Sequence, residues 1–172
     1  MLEIERLNES HINALKKVSV EDEQLIFAGT AEEFLQDVSD TAHLHVIKHD
    51  GSIVGFFKLD IAYSESYQFC PSDGLGLRFF VIDKSQQGKG LGTKAVKGLF
   101  DYLKKSYPSF KNVYLTVNCQ NQAARACYLK GGFEDNGEQY LGSSWPTTHH
   151  AWKNRITNAS RGTVNAWRFQ SQ

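Results

Sequence analysis

The chain has 172 residues, 41% of them apolar and 12% aromatic, so a single domain of this length can bury a core without disulfides or a structural metal. Nineteen Lys and Arg residues balance nineteen Asp and Glu residues, which argues against a protein whose whole surface binds nucleic acid or anionic lipid. Residues 1–75 nevertheless contain 14 acidic and five basic residues, a net charge of −9, and residues 76–172 carry +9, which indicates either two partners of opposite charge or solvated helix faces of different sign.

The first 40 residues are predicted to form one strand and short acidic helices. Residues 2–7 alternate apolar and charged side chains as an edge strand does, and residues 8–17 favour a short helix. Residues 20–39 predict two helices, the second of which begins at Thr30 with a capping box completed by Glu33.

The middle of the chain predicts a β-hairpin and a buried strand. Apolar, β-branched segments at residues 43–49 and 52–63 flank Asp50–Gly51, the pair that a type I′ turn favours. After a polar loop, the apolar run LGLRFFVID at residues 75–83 predicts a strand that leads into a glycine-rich segment.

Helix and strand then alternate. Leucines and alanines at helical spacing predict a helix over residues 89–105, a buried strand is expected at 113–117, and a short helix at 121–129. A strand, helix, strand unit of this length is a crossover, so its two strands should be parallel. Residues 133–142 and 145–152 are predicted to add final strands.

Three further features limit the class of protein. Cys70, Cys119 and Cys127 cannot all pair and have no disulfide or zinc spacing, so reduced thiols and a cytoplasmic location are expected. We see no signal-peptide pattern at the N-terminus and no apolar run long enough to cross a membrane. The histidines do not recur with acidic or cysteine ligands at metal spacing, so we expect no metal.

The glycine-rich segment QGKGLGT, residues 87–93, lies between a predicted buried strand and a helix start. Backbone N–H groups at a helix N-terminus lack partners within the helix and bind anions, and glycine lets a phosphate approach the backbone closely. The segment has neither the P-loop spacing nor the glycine order of a dinucleotide-binding fold. It therefore indicates a phosphate site of another kind, or a tight connection.

A second motif, NQAARACYLKGGF at residues 121–133, follows the parallel strand. The order of strand, QGKGLG, amphipathic helix, strand and this motif resembles the GCN5-related N-acetyltransferase (GNAT) family over residues 75–140. More loosely, RFFVIDKSQQGKGLG together with the acidic amino-terminal helices is similar to the bacterial spermine/spermidine-type acetyltransferases.

The resemblance implies a single α/β (α+β) domain over residues 1–153, followed by an irregular tail at 154–172. Its mixed central sheet would have about six to seven strands with flanking helices. The sheet would splay between residues 75–82 and 111–118, with acetyl-CoA, the co-substrate, bound in the gap and no metal cofactor.

The same resemblance assigns the cofactor-binding residues. The main chain of Phe80, Val81 and Ile82 would pair with the pantetheine arm, and one N–H would point at the thioester oxygen. The residues implied around the pyrophosphate are Gln87, Gly88, Lys89, Gly90, Leu91, Gly92 and Thr93. Lys89 is either a phosphate ligand or a solvated cation, and Asn121 is expected to cap its helix, to reach the cofactor, or both.

Tyr128 matches the family's general acid, which would give a proton to the leaving thiolate; the alternative is an aromatic side chain packed on the sheet. The attacking amine must first lose a proton, since its pKa is about 10.4. Thr116 stands where some family members have a glutamate, and residues 76–82 contain no carboxylate. The remaining candidates for a base are Asp60 and Glu65, acting through water.

These features predict an acetyl-CoA-dependent N-acetyltransferase that moves the acetyl group directly to a primary amine. The acidic amino-terminal half favours a small cationic acceptor such as a polyamine, with a protein N-terminus or an aminoglycoside as alternatives. A catalytically silent acetyl-CoA-binding sensor or assembly module is the competing class. We expect no nucleic acid or membrane partner and leave a homodimer open.

Overall fold

A mixed sheet of seven strands runs through the computed structural model, which describes residues 1–37, 39–141 and 148–156. The strands are β1 (Leu2–Arg6), β2 (Ala42–His49), β3 (Ser52–Asp60), β4 (Gly74–Ile82), β5 (Asn112–Asn118), β6 (Glu134–Leu141) and β7 (Thr148–Arg155). Their order is β1-β2-β3-β4-β5-β7-β6, and every neighbouring pair is antiparallel except β4 and β5. The predicted mixed α/β sheet is confirmed.

Six helices belong to the described part of the chain. They are α1 (Ile12–Leu15), α2 (Asp22–Ala28), α3 (Ala31–Gln36), α4 (Tyr63–Ser66), α5 (Leu91–Ser106) and α6 (Gln122–Gly131). The predicted capping box is present, since the Thr30 hydroxyl accepts a hydrogen bond from the Glu33 N–H at 3.1 Å and the Glu33 carboxylate accepts one from the Thr30 N–H at 2.7 Å. The helix predicted over residues 8–17 is shorter than expected: Asn8 caps a 3₁₀ turn that leads into α1.

The helices cover opposite faces of the sheet. The larger apolar cluster joins the sheet to α5 and α6 and includes Leu75, Leu99 and Leu103. The smaller cluster joins the other face to α1 and α3 and includes Leu15 and Phe34. The acidic amino-terminal helices and the long basic helix α5 are therefore separated by the sheet.

The sheet is splayed between β4 and β5, as predicted. Their parallel pairing is limited to Gly74–Gly76 against Asn112–Tyr114. Past that point β5 keeps its pairing with β7 as far as Asn118, whereas residues 77, 78, 81 and 82 of β4 pair on one edge only, with β3, among the described strands. One edge of β4 is therefore open along the residues assigned to the pantetheine arm.

The folded segment extends slightly beyond the predicted boundary at residue 153. Strand β7 continues to Arg155, which pairs with Asn112, and Ile156 is buried in the larger cluster. The rest of the predicted tail, residues 157–172, lies outside the described residues. In the part of the chain that is described, no helix has the length and apolarity to cross a membrane.

His45 of β2 is a fully buried histidine inside a polar network. Its Nδ1 donates to the carbonyl oxygen of His43 at 2.8 Å, so its Nε2 accepts from the Tyr102 hydroxyl at 3.0 Å, and the ring stacks on Phe57. Burial is the main cause that lowers the pKa of His45 to about 3.

This network predicts loss of stability in mild acid. An unfolded histidine has a pKa near 6.5, so the unfolded state binds the extra proton and the stability from neutral His45 is lost as the pH falls from 6.5 toward 3. Between about pH 7.5 and pH 5 we expect the free energy of unfolding to fall by about 2 kcal/mol through this residue. Urea unfolding over this range measures it, with His45→Gln as the variant that removes the effect. An identical pH dependence in both proteins would contradict the prediction.

Candidate active site

A β-bulge distorts β4 beside the open edge. Between the Phe56–Val81 pair and the Lys58–Arg78 pair, β4 contains one more residue than β3. Phe79, in this interval, has a φ of +53°, a left-handed conformation that non-glycine residues rarely adopt. This bulge was not predicted from the sequence. The bulge lies past the point where β4 separates from β5, so it shapes the part of β4 that the resemblance assigns to the pantetheine arm and the thioester.

The predicted pyrophosphate site has the geometry of an anion-binding turn. Gly88 and Gly90 have φ values of +73° and +74°, and the first bond of α5 runs from the Lys94 N–H to the Gly90 carbonyl oxygen. The N–H groups of the preceding first turn, Leu91 to Thr93, thus have no partner within the helix. Apart from its own chain neighbours, no atom of the described residues lies within 4 Å of a Cβ added at Gly88 or Gly90, so space for a ligand is open above the turn.

Two side chains of the predicted phosphate loop bond to protein groups. Lys89 donates to the Ser85 carbonyl oxygen at 2.8 Å. Gln87 donates to the Ile82 carbonyl oxygen at 2.9 Å, and its amide exchanges hydrogen bonds of 3.0 Å with that of Gln24 on α2. The loop is therefore fastened both to the end of β4 and to an acidic helix.

Asn121 lies at the start of α6, and Cys127 lies on the face of this helix toward α5. The Asn121 carboxamide oxygen accepts from the Ala124 N–H at 3.1 Å, which is the capping role predicted for it. The Thr93 hydroxyl lies 4.0 Å from the Cys127 sulfur, so this thiol borders the phosphate loop. Burial raises the pKa of the Cys127 thiol, which keeps it protonated and weakly nucleophilic.

Tyr128 lies against the cofactor strand. Its residue surface is 8% exposed, and its ring centroid is 5.9 Å from that of Phe80 and 5.6 Å from that of Phe133. No hydrogen bond joins the hydroxyl to another described residue. Burial, and to a smaller extent the neighbouring Cys127, raise the pKa of Tyr128 well above its ordinary value. The phenol is protonated at neutral pH, as an ordinary tyrosine also is, so it carries a proton beside β4.

The two carboxylates proposed to act as a base have different surroundings. Asp60 is buried and accepts from the Arg78 guanidinium at 3.3 Å and from the Ala62 N–H at 3.0 Å. Glu65 is exposed on α4. Asp60 thus holds Arg78 and the turn that follows β3. Both carboxylates remain candidates for the base, and these contacts favour neither of them.

A buried charge beside the bulge was missed. Lys58 has no exposed surface, and its ammonium donates to the Asp37 carboxylate at 2.7 Å and lies 4.4 Å from the centroid of the Phe79 ring. Burial lowers the pKa of Lys58, and the hydrogen bond from Lys58 lowers that of Asp37. The available signal was a lysine flanked by Phe57 and Leu59 in a strand with a continuous apolar run.

Within residues 1–37, 39–141 and 148–156, no group of three or more His, Cys, Asp or Glu side chains is placed to hold a metal ion.

Comparisons with known proteins agree with this geometry. The sequence model of the Acetyltransferase (GNAT) family matches residues 9–133. A probable spermine N(1)-acetyltransferase of Bacillus subtilis subsp. natto (strain BEST195) is 29% identical over 141 residues, which cover 80% of this chain and 90% of that protein.

Two solved structures share the fold. Aminoglycoside acetyltransferase AAC(6')-Ib in complex with coenzyme A superposes with a TM-score of 0.73 at 19% identity, covering 90% of this chain and 95% of that one. Spermidine N-acetyltransferase from Vibrio cholerae in complex with CoA and spermine superposes with a TM-score of 0.60 at 15% identity, covering 90% and 95%.

Proposed function

Because the chain belongs to the acetyltransferase (GNAT) family and is an N-acetyltransferase that uses acetyl-CoA, we propose that it acetylates a primary amine of a small cationic acceptor, with a polyamine as the first candidate. The exposed acidic residues of α2 and α3 carry the choice of a cationic acceptor, and the position of Tyr128, packed on Phe80 at the open edge of β4, carries the transfer chemistry. The family that the two sequence motifs predicted is confirmed.

Acetyl-CoA would bind along the open edge and the glycine turn. The pyrophosphate would accept hydrogen bonds from the N–H groups of residues 88–93, where the dipole of α5 also favours an anion. The pantetheine arm would run beside residues 80–82, whose free edge offers main-chain donors and acceptors. This arrangement brings the thioester next to the ring of Phe80 and the hydroxyl of Tyr128.

The chemistry is direct transfer. The neutral amine attacks the thioester carbonyl, and an N–H group of the β4 bulge stabilises the oxyanion that forms. As the C–S bond breaks, Tyr128 donates its proton to the leaving sulfur and later regains one from solvent. The amine nitrogen loses one proton before attack and a second one afterwards, both to water or to a carboxylate acting through water. The protonated, partly buried Cys127 supports a route without an acyl-enzyme.

The charge distribution supports a cationic acceptor. Exposed acidic residues on α2 and α3 lie on the face of the sheet opposite α5, and Gln24 of α2 bonds to the phosphate loop. An acceptor that approaches between these helices and β4 would meet a negative potential. The curated relative named for spermine, a linear polycation, agrees with this charge.

The test measures thiol release from acetyl-CoA with spermine, spermidine, kanamycin and a peptide with a free N-terminus. We expect the highest kcat/KM with a polyamine. A higher value for kanamycin or the peptide would overturn the acceptor while leaving acetyl transfer in place. If no amine raises thiol release above hydrolysis, although acetyl-CoA raises the Tm, the sensor function replaces the enzyme.

Neutralising two acidic side chains of α2 tests the acceptor site. In the double variant Asp22→Asn, Glu23→Gln, we expect the KM for the polyamine to rise about fivefold at low salt, while the KM for acetyl-CoA changes less than twofold. The control is Glu3→Gln, Asp101→Asn, which alters the net charge equally at two exposed sites on β1 and α5. Equal effects of the two variants would mean that net charge, and not a site on α2, attracts the acceptor.

A further inference from the structure

Lys58 is buried at a position where an apolar side chain would suffice for packing. It lies in β3 between Phe57 and Leu59, and none of its side chain is exposed. The ammonium donates to the Asp37 carboxylate at 2.7 Å and to the Asp37 carbonyl oxygen at 3.3 Å, at the C-terminal end of α3. Removing an ammonium from water is costly, and a buried ion pair often adds no net stability over an apolar pair of similar size. Stability alone is therefore a weak reason for a lysine here.

The same ammonium contacts the residue that forms the bulge. It lies 4.4 Å from the centroid of the Phe79 ring and 5.2 Å from that of Phe34. Gly29, in the turn between α2 and α3, leaves room for the Phe79 ring, since a Cβ added at Gly29 would come within 2.9 Å of that ring. A phenylalanine keeps a left-handed conformation only where its surroundings hold it there. Here the ammonium, Phe34 and the glycine turn enclose the ring.

The bulge sets the direction of the reacting part of β4. Phe79 packs with the cluster beneath α1 and α3, whereas the next residue, Phe80, packs on the opposite face against Tyr128. The left-handed conformation of Phe79 thus sets the direction in which the β4 backbone passes from the face covered by α1 and α3 to the open edge. A change of its conformation would rotate the N–H groups that face the thioester.

We propose that Lys58 is a positioning residue for acetyl transfer: by holding the Phe79 ring and the end of α3 at Asp37, it keeps the β4 bulge in the conformation that directs an N–H group at the thioester oxygen. This inference rests on the proposed function. Lys58 contacts neither the amine nor acetyl-CoA. Its role is to link α3, on the side proposed for the acceptor, to β4, the strand proposed to bind acetyl-CoA.

Lys58→Met tests the proposal, because methionine matches the apolar stem of the lysine side chain and lacks the ammonium. We expect kcat to fall about 30-fold, since small displacements of an oxyanion donor are costly, while the KM for acetyl-CoA changes less than threefold. The matched control is Lys48→Met on β2, which breaks an ion pair of 2.8 Å with Glu5 and should leave kcat unchanged. An unchanged kcat in Lys58→Met would overturn the proposal.

Two variants at the other end of the ion pair test the proposal if Lys58→Met does not fold. Asp37 is partly exposed and its carbonyl oxygen also accepts from the ammonium, so in Asp37→Ala the ammonium keeps one protein acceptor and gains access to water. This variant should be less stable than Asp37→Asn but should still fold. We expect Asp37→Ala to lower kcat about tenfold and Asp37→Asn to restore most of it, because the amide oxygen again accepts from the ammonium. Wild-type kcat in Asp37→Ala would contradict the inference.

Hydrogen exchange separates this inference from the proposed function. Amides of residues 76–82 should exchange at least tenfold faster in Lys58→Met, or in Asp37→Ala, than in the wild type or in Lys48→Met. If the wild type acetylates no amine, the proposed function fails, whereas unchanged exchange in this segment shows that Lys58 does not hold the bulge.

Discussion

Replacing Tyr128 by Phe is expected to lower kcat about 100-fold, because the leaving thiolate would lose the proton donor proposed for it. The KM for acetyl-CoA should change less than about threefold, since the pyrophosphate turn and the β4 edge are untouched. The Tm should stay close to that of the wild type, because the ring still packs on Phe80 and Phe133 and no hydrogen bond joins the hydroxyl to another described residue. Steady-state thiol release and thermal unfolding measure both quantities.

Tyr107→Phe is the matched control. Tyr107 is also 8% exposed, and burial raises its pKa to about 12, but its hydroxyl bonds to the ring of His43 at 2.8 Å, in the network around His45. This variant should lose stability and keep kcat, the opposite of Tyr128→Phe. Equal kcat values for Tyr128→Phe and the wild type would exclude Tyr128 as the proton donor and leave it as a packed aromatic.

The second large effect is expected from Gly90→Ala. Gly90 caps α5 with a φ of +74°, and an added Cβ would meet no other described residue within 4 Å beyond its chain neighbours. If the pyrophosphate occupies this space, the methyl group meets the ligand. We expect the Kd for acetyl-CoA, measured by calorimetry, to rise at least tenfold, which corresponds to about 1.4 kcal/mol of binding free energy.

Gly51→Ala separates this effect from backbone strain. Gly51, in the turn between β2 and β3, has a φ of +78° and equally open surroundings. Both variants place an alanine in the left-handed region, at a cost of about 1–2 kcal/mol of folding free energy, so their Tm values should fall by similar amounts. Only Gly90→Ala should weaken acetyl-CoA. A wild-type Kd in Gly90→Ala would place the pyrophosphate elsewhere.

Features set by local sequence were predicted well. The hairpin turn follows from Asp50–Gly51, whose φ values of +49° and +78° are both positive as a type I′ turn requires. The capping box at Thr30 depends on two residues three positions apart. The parallel relation of β4 and β5 follows from the length of the crossover between them. In each case nearby residues suffice to specify the geometry.

The features that were missed depend on contacts between distant segments. The bulge places a phenylalanine where the backbone pattern favours glycine, so no local signal marks it, and its ring is held by side chains from β3 and α3. The partner of Lys58, Asp37, lies 21 residues earlier in the chain. Periodicity assigned the strand around Lys58 correctly, but it carries no information on which helix would supply the opposite charge.

The short parallel contact between β4 and β5 makes the sheet two half-sheets, one of four strands and one of three. The change from acidic to basic composition at residue 75 falls at the start of β4, just before the residues of this strand that line the gap. A pantetheine arm laid along β4 would act as an additional strand that fills the wedge. Acetyl-CoA would then join the two half-sheets as well as supply the acetyl group, and part of its binding free energy would stabilise the contact between them.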